Sequence, residues 1–190
     1  YSFYLSLTNY DLISTPKWVG FDNYIRAFTK DQYFYKYFGN TLYFVVTLVP
    51  IVLALSLLLA ILINKKTSWV NNIYRVALFL PSITSTVAVS MVWLWIFNPD
   101  MGILNNILTA IGLNDVPMWL GDTAWSKPAL VIMRVWQMGG YYMIMFLAGL
   151  QTIPETLYEA AELDGASEIQ KFFRITLPLL SNTTFVVMIL

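Results

Sequence analysis

Two stretches of this chain hold polar side chains at spacings that could do chemistry. The first is 151–178. Glu155, Glu159 and Glu162 recur at i, i+4 and i+7, so a helix over Glu155–Asp164 presents them on one face, and Ala160 and Ala161 leave a shallow surface that another protein can approach. Pro154 suits a first helical position, and Gly165 suits the left-handed position that ends a helix. Ser167 with Gln170 forms a capping box for a second helix, carrying Ile169, Phe172, Phe173 and Thr176 on one side, and Pro178 marks the turn into the next apolar run. Solvation accounts for the glutamates and capping for the glycine. Neither accounts for Phe172 and Phe173, which need a partner surface or a bilayer. The second stretch is 134–141, where Arg134, Gln137, Met138 and Tyr141 share a helical face around Gly139-Gly140 in an otherwise apolar run. A central arginine costs about 2.5–3.5 kcal/mol on a membrane-insertion scale, so it needs a reason. Two are available: the face bonds a polar ligand, or Arg134 snorkels outward while the glycines serve close helix packing.

Other chemistry is excluded. The 190 residues contain no Cys and no His, which removes disulfides, thiolates, and the commonest general base and metal ligand. Lys65-Lys66-Thr67 has a lysine and a hydroxyl, but no Gly-x4-Gly turn precedes it to cradle nucleotide phosphates. Net charge is zero, so there is no basic field for nucleic acid. No catalytic, metal or cofactor site is expected.

Membrane helices must position both stretches. The chain is 58% hydrophobic and 12% charged, against about 45–50% and ~25% in soluble domains. Uncharged runs cover 41–63 and 76–97, and 129–150 carries only Arg134. At 1.5 Å per residue each spans about 33 Å, enough for a hydrocarbon core of about 30 Å. Residues 1–8 read as the tail of an earlier span and 181–190 as the first half of a later one, as though cut from a longer protein. The expected fold is an all-α, polytopic membrane bundle over 1–190. Lys65, Lys66 and Arg75 place 64–75 in the cytoplasm, and parity then puts 9–40 and 98–127 outside and 151–178 inside. In the outer loop, Ile103, Leu104, Ile107, Leu108 and Ile111 fall on one face of a short interfacial helix. Trp93, Trp95, Trp119 and Trp125 read as an aromatic belt. Ser56 with Ala60, and Ser82, Thr86 and Ser90, read as helix-packing positions.

Glu159-Ala160-Ala161, three residues, Gly165, nine residues, Ile175, one residue, Leu177-Pro178 resembles the EAA loop of permease subunits in binding-protein-dependent ABC importers. The chain as a whole resembles the carbohydrate group of that family, on the side of the first of two paired permeases of the maltose and glycerol-phosphate type. Val19–Tyr24, Asn40-Thr41, Leu80-Pro81, Trp93–Pro99, Gly102–Asn105, Trp119-Leu120 and Leu147–Gln151 carry that likeness in order. The resemblance implies a type I importer permease with a six-helix core in a bacterial or archaeal plasma membrane. It also implies a second permease, a pair of ATP-binding subunits and an extracytoplasmic solute-binding protein. In the family the loop's helix sits in a cleft of the ATPase. On this chain that makes Glu159, Ala160, Ala161, Asp164 and Gly165 the contact core, with Glu159 pairing a basic group. It also makes the Arg134, Gln137, Met138 and Tyr141 face a sugar path, with Arg134 and Gln137 bonding hydroxyls and Tyr141 or Trp136 stacking on a ring. Gly139-Gly140 would weaken the helix near the midplane, where broken helices expose backbone to substrate. A phosphorylated polyol is an alternative solute. An ion-driven transporter requires an intramembrane carboxylate, which the three runs lack, and a receptor would use the loop for signalling.

Overall fold

The computed structural model describes residues 1–64, 69–113 and 115–190. Lys65, Lys66 and Thr67, on which the expected orientation and the phosphate-loop comparison rest, lie outside the described residues. By its internal contacts the chain divides into Tyr1–Val45 and Val46–Leu190.

In Tyr1–Val45, helix α1 (Ser2–Ser6) leads into a two-residue antiparallel ribbon, β1 (Thr8–Asn9) with β2 (Lys17–Trp18), then α2 (Asp22–Thr29) and the start of α3 (Phe34–Ile63). Residues 1–8, expected as the tail of a span, are helical only through Ser6. The ribbon holds because Asn23 at the start of α2 donates to the carbonyls of Ser6 and Thr8, at 2.9 and 3.0 Å.

Val46–Leu190 holds the rest of α3, then α4 (Trp69–Ile83), α5 (Thr86–Ile96), α6 (Ile103–Ala110), α7 (Ser126–Gln151) and α8 (Glu155–Leu163). A short α9 (Glu168–Lys171) runs through a π-helical turn (Phe172–Thr176) into α10 (Leu177–Leu179), and α11 (Ser181–Ile189) follows. Helices α3 and α7 are each long and apolar enough to cross a membrane. The stretch expected as a span, 76–97, falls on two helices, Asn71–Ile83 and Thr86–Ile96, bent by 100°. The cause is local. Pro81 lacks an N–H and presses on the carbonyl four residues back. Ser82 and Thr84 then bond the carbonyls of Phe79 (2.6 Å) and Leu80 (2.9 Å), competing with the helical ladder. Ser85 leaves the helix in an extended conformation and caps α5 without a side-chain bond.

Helix α7 is the hub, and small residues make it so. A Cβ on Gly140 would lie 1.8 Å from the Leu78 carbonyl oxygen, so the backbone of α4 rests directly on that glycine. A Cβ on Gly149 would lie 2.6 Å from Thr183 Oγ1, where α11 crosses. From α3, the fully buried Ser56 donates to the Gly139 carbonyl at 3.0 Å. Such close approaches are what hold helices together where lipid removes the hydrophobic drive between them. The glycine pair therefore does not break the helix: α7 is continuous through it, against the expectation of exposed backbone.

Toward one end of α7, Phe97, Trp119 and Ala129 form a buried cluster, with Trp93, Leu104, Leu108 and Met133 packed on it. Asn105 is its polar pin. It accepts the Trp119 indole N–H at 2.7 Å and donates to the carbonyls of Pro99 and Pro117. Two expectations change here. Trp119 is a core residue and not a belt residue, while Trp95 and Trp125 stay exposed. The apolar face of α6 divides, with Leu104 and Leu108 turned to the cluster and Ile103, Ile107 and Ile111 left exposed.

Candidate functional site

The segment after α7 is built as a closed bend. Pro154 takes the N-cap of α8, extended at ψ 131, one place earlier than expected. Glu155, Glu159, Glu162 and Ala160 are exposed, and Ala161 is half-buried. The helix ends as its sequence demands. The Gly165 N–H donates to the Glu162 carbonyl (3.0 Å) and the Ala166 N–H to the Ala161 carbonyl (2.9 Å). Gly165 adopts φ +75, the pairing that returns two terminal carbonyls to use when a glycine sits left-handed. Ser167 then accepts the Gln170 N–H while the Gln170 side chain accepts the Ser167 N–H, a complete capping box.

Beyond the bend, Lys171 is 7% exposed. Its ammonium pairs with Glu168 and, 3.2 Å away, with Glu162 back on α8. These bonds, that of Glu168 first, raise its pKa above the ordinary lysine value despite burial. The Tyr158 hydroxyl meets Thr176 Oγ1 at 2.9 Å. The expected single face of Ile169, Phe172, Phe173 and Thr176 is split: Thr176 is buried and Phe172 half-buried, whereas Ile169 and Phe173 are exposed. A π turn closes its bonds one residue later than an α turn, so the face that a continuous α-helix would keep rotates out of register. The turn toward α11 comes at Leu180, not Pro178, as a 61° bend. Between this segment and the ends of α3 and α7 lies an open groove of about 680 Å³, whose lining includes Ile61, Leu150, Tyr158, Lys171 and Phe172. Sequence reasoning missed Leu163, 91% exposed at the end of α8, and Lys171. The Glu168–Lys171 spacing was visible in the sequence, but the Glu162 partner appears only once the bend is known.

On α7 the expected four-residue face also divides. Arg134 Nη1 donates to Gln137 Oε1 at 2.8 Å, with Arg134 exposed and Gln137 buried. Tyr141 is exposed, its ring edge-on to Tyr142. Met138 turns elsewhere. It lines an apolar cavity of about 140 Å³ with Val52, Tyr142 and Val187. Trp136, half-exposed, meets Trp93 edge-on at 5.6 Å. Among the described residues no group of His, Cys, Asp and Glu could hold a metal.

The guanidinium–amide pair on α7 and the glycine-closed acidic helix α8 both lie within a stretch that matches a known family. Residues 53–190 match the model of the binding-protein-dependent transport system inner membrane component. The chain belongs to this family. The probable ABC transporter permease protein YesP of Bacillus subtilis (strain 168) is 38% identical over 185 residues, covering 97% of this chain and 59% of YesP. The xylose/arabinose import permease protein XacH of Haloferax volcanii is 37% identical over 186 residues, covering 97% of this chain and 58% of XacH. Among solved structures, a bacterial alginate ABC transporter in complex with an alginate pentasaccharide-bound periplasmic protein superposes with a TM-score of 0.79 at 30% identity, over 90% of this chain and 59% of that one. The chain thus spans just under three fifths of the length of these relatives. As a member of the family it has the helical importer permease fold, with α3 and α7 long and apolar enough to cross a membrane.

Proposed function

We propose that this chain is the permease subunit of an ATP-driven sugar or oligosaccharide importer, forming half of the translocation path and coupled to ATPase subunits through 151–178. The observation that carries the reading is the closed bend at Gly165, which holds the exposed Glu159-Ala160 surface on a short, well-terminated helix in a chain of this family. Glu159, Ala160, Ala161, Asp164 and Gly165 form the docking core, with Glu159 pairing a basic group of the ATPase. The relatives named for xylose/arabinose import and for alginate support a sugar as the cargo. ATP is held by a separate pair of subunits, since the chain has no phosphate loop. A second permease completes the path, an extracytoplasmic binding protein delivers the solute, and the assembly lies in a bacterial or archaeal plasma membrane. Closure of the ATPases moves the docked loop, and rocking of the two permeases opens the path alternately to each side.

Within that path, the Arg134–Gln137 pair is the polar contact for substrate, with Tyr141 and Trp136 as exposed rings beside it. The exposed guanidinium of Arg134 favours a second reading, in which the cargo is anionic, such as a phosphorylated polyol. The test is reconstitution of the full-length protein with its partner subunits in liposomes. ATPase subunits co-purify, and hydrolysis rises when the binding protein is loaded from a panel of neutral and anionic sugars. A preparation that never retains an ATPase rejects the proposal, and the panel separates the two cargoes.

A further inference from the structure

Two ties fasten α8 to the helix that leads on to α11. Near the start of α8 the Tyr158 hydroxyl meets Thr176 Oγ1, and near its end Glu162 meets the Lys171 ammonium. Lysine is rarely buried unless paired, yet Lys171 is 7% exposed and Thr176 6%, while Phe173 and Arg174 between them are exposed. On a regular α-helix, residues five apart point about 140° away from each other. The π turn Phe172–Thr176 closes bonds from i to i+5 instead, which brings positions 171 and 176 to one side. That turn is what allows one helix to meet α8 at both places. At the joint between them the glycine adds no side-chain contact: a Cβ on Gly165 would touch nothing within 4 Å.

We infer that Lys171 and Tyr158 are positioning residues that lock the bend, so that α8, α9 and the π turn move as one rigid lever into α11. The lock rests on the coupling reading above only for what pushes the lever; its geometry is internal to the loop. An isolated exposed ion pair would be worth little, and Glu162 and Glu168 are themselves exposed. The rigidity therefore comes from fastening at two separated points around a glycine, where either tie alone leaves a hinge.

The chain has no cysteine, so Thr156→Cys and Ile169→Cys, both at exposed positions, take a spin-label pair across the bend. The measurement is made on the full-length protein assembled with its partner subunits in nanodiscs. The parent gives one narrow distance. Combining Tyr158→Phe with Lys171→Met raises the share of conformers outside that distance about tenfold, as loss of two polar ties of ordinary strength implies. Lys171→Arg, which keeps the charge, retains the narrow distance, and the melting temperature of the assembly does not move. A parent distribution as broad as that of the double variant overturns the lock, and so does a double variant as narrow as the parent. If the distances behave as stated but no ATPase subunit is retained by the parent, the coupling reading fails and the lock stands.

Discussion

Two glycines resist replacement for different reasons, and the difference can be measured. Gly165 sits at φ +75 in open space, so a side chain meets no neighbour and only the backbone is strained. Gly165→Val should cost about 1–2 kcal/mol or more, and Gly165→Asn much less, because asparagine visits the left-handed region. Thermal unfolding of the two variants checks the order. Gly140 has no unusual φ, and its Cβ would lie 1.8 Å from the Leu78 carbonyl. Gly140→Ala should therefore push α4 away and lower stability by about 1–3 kcal/mol, as overpacking does, with asparagine no remedy. At Gln137 the expected effect is functional. Gln137→Ala removes the Arg134 acceptor and should cut uptake about tenfold, the equivalent of ~1.4 kcal/mol, with the ATPase still bound. Unchanged uptake would remove Gln137 from the path.

Among the elements, α6 shows what pattern can and cannot reveal. Its apolar spacing was visible, but which residues face protein depended on Asn105, Trp119, Pro99 and Pro117 meeting across the loop. No local rule brings those four together. At α4 and α5 the local cause, Pro81 with Ser82 and Thr84, stood in the sequence, but hydropathy counts residues along the chain and is blind to direction, so a 100° bend inside an apolar run leaves no trace in it. By contrast, Gly165 and the Ser167–Gln170 box were legible because helix ends are written in a few adjacent residues. The 41–63 and 129–150 runs were legible because length and polarity alone decide them. The loop's π turn was not, since nothing in Phe172–Thr176 differs by type from an α-helical stretch. Asn105→Ala should leave the Trp119 indole and two proline carbonyls unpaired, costing about 1–3 kcal/mol. A fall in melting temperature with a red shift of tryptophan emission would register it, and unchanged emission would deny the pin its role.

At the scale of the whole chain charge is sparse, at 12% of residues and a net charge of zero. On the proposed coupling, Glu159→Lys should reverse the charge that would pair with the ATPase and strip that subunit from the purified assembly, while membrane insertion stays intact. Retention of the ATPase would refute the docking role of Glu159. The break between α4 and α5 has a wider consequence. At Ser85 the chain leaves one helix and enters another with no side-chain cap, and Ile83 and Val87 on either side are 67% and 65% exposed. Hydrocarbon offers no hydrogen bonds, so irregular backbone at membrane depth is tolerated only against protein or water. The corner therefore acts as a compass. Set at membrane depth, residues 83–87 require protein or water beside them, so the corner marks a side of the chain that lipid alone does not cover.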